Sequence, residues 1–175
     1  MSVGTVPERI AGNWQFSAVH SSVEFSVQYL VAKFRGSFGE VNATLVDGVL
    51  TGTAQVGSVS VKDPNLTGHL QSPDFFDAEQ FPEITFTSEI LGIDGDTLTL
   101  DGQLTLKGVT KPVHAVGTVA GPTDDFMGNT RLGFTVETTI NRTDFGVNWN
   151  ADLPTGGKAL SDEVTLTAEL EFHKA

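Results

Sequence analysis

Apolar side chains fall at every second position over most of this chain, and that period restricts it to half-buried β-strands. Val23, Phe25, Val27 and Tyr29 share one parity, while Ser22, Glu24, Ser26 and Gln28 take the other. Phe34, Gly36 and Phe38 continue an inward face, and the parity then shifts to Val41, Ala43 and Leu45, which predicts a bulge or bend near Gly39 and Glu40. Further runs follow from about Leu50 to Val61, at Ile84–Ile90, Leu98–Leu106, Val113–Val119, Leu132–Ile140 and Val164–Phe172. Turn signals separate them at Asp47-Gly48, Asp94-Gly95-Asp96 and Lys107-Gly108, with loops expected at Gly121–Gly128 and Ala151–Lys158. The short connections make the pairing antiparallel.

This pattern predicts an all-β chain of roughly eight or nine strands. Strands of about twelve residues at about 3.3 Å each, tilted near 40°, would span a barrel about 30 Å tall. An eight-stranded barrel of that kind either fills its interior with side chains or holds one ligand. The inward faces include Gly36, Ala43, Gly102, Ala115, Gly117 and Ala168 beside larger residues. Such small residues leave space for a ligand, and they equally let bulky neighbours interdigitate.

One stretch breaks the period. Asp63–Pro82 carries Phe75, Phe76 and Phe81, three prolines and no long strand pattern, and a short helix is expected within Asn65–Gln71. Another turn is expected near Asp144–Trp149. About twenty aromatic-rich residues inserted between strands either cover an apolar opening or close one end of an ordinary core.

At 175 residues, with 39% hydrophobic and 18% charged residues, the chain suits a single domain over 1–175 with a buried core. A net charge of −12 argues against nucleic acid or an anionic membrane as the main partner. The absence of cysteine excludes a disulfide framework and cysteine-metal sites. Met1–Trp14 shows no basic start followed by an apolar run, and no window approaches membrane-spanning length. A cytoplasmic protein without membrane insertion is therefore expected from the sequence as written, or a periplasmic or secreted one where a leader has been removed.

Enzymatic signals are weak. His20, His69, His114 and His173 lie far apart and form no HExxH or HxH pair, so neither a metal site nor a cofactor is expected. Ser37 misses the nucleophile-elbow spacing, and Gly156-Gly157-Lys158-Ala159 lacks both the upstream glycine and the Ser/Thr of a phosphate loop. His20 reads as a turn hydrogen-bonder. Arg142, at the end of a long strand beside Asp144, reads as a structural pair, a donor to loop carbonyls or a head-group contact. Lys33 and Arg35 flank Phe34 on the solvent side. Parity and aromatic content select Phe25, Phe34, Phe38, Phe76, Phe86, Phe134 and Trp149 as wall contacts of an apolar ligand, with Leu104 and Val136 deeper and Arg142 as the polar candidate.

The order of these pieces resembles the YceI family. The likeness is carried by Trp14 with His20-Ser21-Ser22-Val23-Glu24-Phe25, by Val31–Phe38 and by Gly68-His69-Leu70-Gln71-Ser72-Pro73-Asp74-Phe75-Phe76-Asp77. It continues through Phe81-Pro82-Glu83-Ile84-Thr85-Phe86, Gly102–Val113 and Ile140-Asn141-Arg142-Thr143-Asp144-Phe145-Gly146-Val147, in the family's order over nearly the whole chain. The resemblance implies an elongated, lipocalin-like antiparallel barrel with the segment 63–82 packed against an opening. It also implies a long isoprenoid-type lipid, polyprenyl or isoprenoid quinone, held inside without enzymatic chemistry by a carrier, buffer or stress-related store. Two rival readings stand beside it. One is a filled-barrel structural or stress protein, with a homodimer formed through exposed strands; the other is a small enzyme with a histidine-centred site.

Overall fold

Alternating side chains become strands wherever one face can be buried, and here the buried face is the inside of a closed sheet. The computed structural model describes residues 5–175. In chain order it contains β1 (Asn13–Phe16), β2 (Ser22–Tyr29), β3 (Ala32–Phe38), β4 (Val41–Val46), β5 (Val49–Gln55), β6 (Val59–Ser60), α1 (Pro64–Gln71), β7 (Glu83–Ile90), β8 (Gly92–Asp94), β9 (Thr97–Leu106), β10 (Val109–Asp124), β11 (Thr130–Asn141) and β12 (Leu160–Lys174).

The shorter strands are halves of bent ones. β1 and β2 both pair with β12, at Phe172–Lys174 and Leu160–Glu169 respectively, and a 3₁₀ turn at Ala18–His20 joins them. β3 pairs with β2 and β4 with β1, so the parity shift near Gly39 and Glu40 is the bend between them. β5 then pairs with β4 and β6 with β3, while β7 and β8 both pair with β9. The result is a closed eight-stranded antiparallel barrel with one short helix, each bent or continuous strand hydrogen-bonded to its sequence neighbours and the last closed onto the first.

Two-residue turns fix the register. Asp47 and Gly48 have φ of 47° and 80°, and Lys107 and Gly108 have 51° and 76°, as the primed turns matched to strand twist require. The expected loop at Gly121–Gly128 is shorter than that. β10 runs on to Asp124, its register against β11 shifting between Ala120 and Thr123, so Gly121 and Pro122 sit in a bulge that keeps the ladder going.

The barrel is apolar inside and polar outside. Along β12, Val164, Leu166, Ala168 and Leu170 point inward, whereas Glu163 and Glu169 are exposed. That is the reverse of a membrane-spanning barrel, whose outer face is the apolar one. Among the described residues no helix is long and apolar enough to cross a membrane.

The two ends differ. At one end the β4–β5 turn meets Val6 of the N-terminal segment, and Arg9 ties that segment to the β8–β9 turn and to β10 by donating to the carbonyls of Gly95 (2.8 Å) and Val119 (3.3 Å) and to the Asp96 carboxylate (3.0 Å). Beneath this cap Ile10, Trp14, Leu45, Leu98, Leu132, Phe134 and Phe172 form a solid core. The other end carries the Leu30-Val31 turn, α1 with the rest of 63–82, the Lys107-Gly108 turn and the β11–β12 loop.

Candidate functional site

The end that carries α1 is not solid. A cavity of about 740 Å³ runs from Trp149 and His69 at that end down to Leu100, Ala115, Val136 and Leu170, where the solid core begins. Its wall is almost wholly aliphatic and aromatic, as the inward parity of β2, β3, β9 and β12 dictates.

The small inward residues divide into two kinds. Ala43, Ala115 and Ala168 line the cavity and leave space in it. Gly36 and Gly102 instead make way for neighbouring rings: a Cβ on Gly36 would run into Phe25, its cross-strand partner, and one on Gly102 would run into Phe86. Glycine there lets an aromatic ring lie flat along the wall.

The segment 63–82 is held by its own hydrogen bonds. The Asp63 carboxylate caps α1 by accepting from the Asn65 N–H at 2.9 Å, and Pro64 occupies the first turn, where no amide is needed. After α1 the chain folds back as the N–H groups of Phe76, Asp77 and Ala78 donate to the carbonyls of Leu70, Ser72 and Gln71. This geometry turns Leu70, Phe75 and Phe76 onto the cavity. The Phe76 ring meets Phe38 at 5.7 Å and Phe25 at 6.1 Å, both edge-on, while Phe75 lies 5.4 Å from Trp149. His69 stands edge-on to Phe75 and Trp149, at 4.9 and 4.8 Å. The Lys107 ammonium clips the segment to the β9–β10 turn through the Pro73 carbonyl at 2.6 Å.

Nine of the ten residues selected from the sequence line this one cavity: Phe25, Phe34, Phe38, Phe76, Phe86, Leu104, Val136, Arg142 and Trp149. Phe134 does not. It is 2% exposed in the solid core, with its ring 5.7 Å from that of Phe172. It shares its face of β11 with Val136 but lies one inward position nearer the closed end. His69 and Leu70 also line the cavity and were not selected, because the period-two reading that finds wall residues does not apply to a helix.

Arg142 sits at the start of a 3₁₀ turn (Arg142–Phe145) and is only 4% exposed. Its Nε donates to the Ser161 carbonyl at 2.9 Å, and its Nη1 to the carbonyls of Val147 and Trp149, both at 2.8 Å. Of the readings offered by the sequence, the donor to loop carbonyls is realised, and Asp144 is not its partner. Nη2 is buried without a hydrogen-bond partner. Burial pushes the Arg142 pKa down from its ordinary value, and the charge of Asp162 opposes that shift.

The histidines do not converge. His20 lies 3.2 Å from the Ser17 hydroxyl and 3.1 Å from Glu171, His69 2.9 Å from Asp74, His114 2.6 Å from Asp101 and His173 2.9 Å from Gln15. Among the described residues no group of three or more His, Cys, Asp or Glu side chains is placed to hold a metal ion. Lys33 and Arg35 are exposed on the outer face.

Comparison with known proteins matches residues 14–172 to the YceI-like domain. The UPF0312 protein of Staphylococcus aureus strain MSSA476 is 33% identical over 172 residues, covering 91% of this chain and 96% of that protein. Among solved structures, Burkholderia cenocepacia BcnA superposes with a TM-score of 0.77 at 22% identity, over 90% of this chain and 99% of that one. A polyisoprenoid binding domain from Saccharophagus degradans gives a TM-score of 0.74 at 13% identity, over 93% and 98% respectively. At those two identities the superpositions speak to the fold alone.

Proposed function

This chain belongs to the YceI-like family, and from that premise we propose that it is a non-enzymatic binder of one long apolar lipid of isoprenoid type, a polyprenyl chain or an isoprenoid quinone, acting as its carrier, buffer or store. The observation that carries the reading is the continuous apolar cavity of about 740 Å³, open toward α1 and stopped by the solid core. Its volume falls within the range of roughly 300–1,000 Å³ usual for small-molecule sites. The isoprenoid class is supported by the polyisoprenoid binding domain that shares the fold.

Physical chemistry sets the strength expected. Burying roughly 400 Å² of prenyl tail at about 25 cal/mol/Å² gives about 10 kcal/mol gross. Ordering a flexible chain and losing translational freedom remove much of that, which leaves micromolar to nanomolar affinity. A smooth apolar wall measures length and width. In this reading the segment 63–82 is a lid, since its rings form the wall nearest the opening. The non-enzymatic reading is supported by the histidines, which among the described residues are paired separately with different neighbours and do not gather around one reactive group.

Native mass spectrometry of gently purified protein, followed by organic extraction, tests the proposal. A stoichiometric prenyl or quinone adduct, or saturable uptake of such a lipid added afterwards, is the expected result. A bare protein that also refuses added prenyl lipids would overturn it in favour of a structural barrel.

A further inference from the structure

The Leu30-Val31 turn breaks the turn chemistry that the rest of the barrel keeps. Tyr29 pairs with Ala32, so Leu30 and Val31 alone make the β2–β3 connection, and Leu30 takes a φ of 53°. Glycine and asparagine hold such a position at the least cost. The comparable two-residue turns at Asp47-Gly48, Gly95-Asp96 and Lys107-Gly108 each set a polar residue beside a glycine. Here two aliphatic side chains stand in their place. Val31 is 98% exposed and Leu30 half-exposed, on a tip anchored by the Leu30 N–H, which donates to the Ala159 carbonyl at 3.0 Å. Folding gains little from an aliphatic side chain left in water. A local rule broken without a packing gain marks a functional position.

The apolar patch continues into the cavity. Tyr29, next to the tip, is 47% exposed and also lines the cavity, as does Leu160, its partner across the ladder. An apolar path therefore leads from Val31 to the interior. From this we infer that the Leu30-Val31 turn is a membrane-docking tip. It enters the interface of a zwitterionic bilayer without crossing it, and holds the cavity mouth there while a lipid tail passes along Tyr29 and Leu160. The inference rests on the lipid-binding reading above and adds the surface from which the lipid is taken. Two aliphatic side chains bind a bilayer more weakly than one acyl anchor, so the contact is transient, as loading and release require. Charge selects the kind of bilayer. Lys33 shares an outer groove with Asp162 and Glu163, and Lys158, beside Ala159, is paired with Asp152. Carboxylates thus stand beside both cations, which suits headgroups of zero net charge, whereas the net charge of −12 opposes an anionic surface. Another exposed apolar tip, Phe126-Met127, lies at the far end of β10 beside Asp124 and Asp125, and neither residue lines the cavity.

Tryptophan placed on each tip reads docking without reference to cargo, against the wild-type baseline of Trp14 and Trp149. With phosphatidylcholine vesicles free of prenyl lipid, Val31→Trp emission should shift to the blue and be quenched by brominated phosphatidylcholine. Phe126→Trp should do neither. A second measurement follows menaquinone-4 from phosphatidylcholine vesicles into the protein. The double variant Leu30→Asn, Val31→Ser should take it up about tenfold more slowly or worse, the effect of withdrawing one aliphatic side chain from apolar surroundings. Asparagine suits the left-handed backbone at Leu30. Equilibrium affinity for menaquinone-4 added from ethanol should stay within about threefold, since neither residue lines the cavity. Val31→Trp emission unmoved by vesicles would overturn the docking tip even if the protein takes up menaquinone-4. An equal response from Phe126→Trp would overturn the assignment to the mouth, and quenching only with added phosphatidylglycerol would overturn the zwitterionic surface. Uptake by the double variant at the wild-type rate would overturn the role in loading. A dimer in sedimentation that the double variant loses would assign the tip to a second copy and overturn the proposal. Quenching of Val31→Trp in a protein that refuses menaquinone-4 would overturn the lipid-binding reading and leave the docking tip standing.

Discussion

Two arginines at opposite ends of β11 show how environment sets the role of one side chain. Arg131 bridges Asp125 and Glu171, each at 2.7 Å, and these bonds raise its pKa. The same contact, helped by the N–H groups of Asn129 and Met127, lowers Asp125 from 3.8 to about 2. A carboxyl whose folded pKa is depressed contributes stability above its unfolded pKa and loses it as pH falls toward the folded value. Wild-type melting temperature should therefore fall more steeply than that of Asp125→Asn between about pH 4 and pH 2. Parallel curves for the two proteins over that window would refute the assignment. Gly36 supplies a second test at this scale. Phe25 lies across it, so Gly36→Ala overpacks the wall and should cost about 1–3 kcal/mol in urea unfolding. An unchanged midpoint would mean that the ring moves aside freely.

At the scale of elements, α1 is the part whose stability can be tuned in both directions. Removing the cap with Asp63→Ala should destabilise α1 by about 1 kcal/mol, whereas Gly68→Ala, at an exposed helical position with nothing near the new Cβ, should stabilise it by up to about 1 kcal/mol. Hydrogen exchange of the α1 amides from Asn65 to Gln71 reads this directly: about fivefold faster in the first variant and slower in the second, with β9–β12 unchanged. Exchange rates that rise everywhere together would show that α1 opens only with the whole barrel. The elements themselves were legible in the sequence, because inward and outward positions alternate strictly in a closed sheet, and the turns at Asp47-Gly48 and Lys107-Gly108 announce their geometry. Gly121 and Pro122 misled, since a residue pair that usually ends a strand is here absorbed as a bulge within one. The pairing of Gly36 with Phe25 could not be read without the register, which is a relation between strands and leaves no local mark.

The whole molecule is a barrel with one solid end and one hollow end, and this division was the part of the site hidden from the sequence. Parity assigns a residue to a face but gives no depth, so Phe134 and Val136, inward neighbours on β11, looked equivalent although one lies in the solid core and the other borders the cavity. The division predicts that stability and binding can be separated. Phe134→Ala removes a ring packed against Phe172 and should cost about 3–5 kcal/mol in urea unfolding while leaving lipid affinity within about threefold for the folded protein. Ala168→Phe builds a ring into the hollow half, whose wall Ala168 lines where the cavity borders the solid core, and should abolish uptake of a prenyl lipid with stability unchanged or raised by up to about 2 kcal/mol. Both readouts are needed on both proteins. If Phe134→Ala lost binding in proportion to its stability, the two ends would be one cooperative core and the hollow would not act as an independent site. If Ala168→Phe still bound lipid at wild-type affinity, the chain would have to lie somewhere other than this cavity.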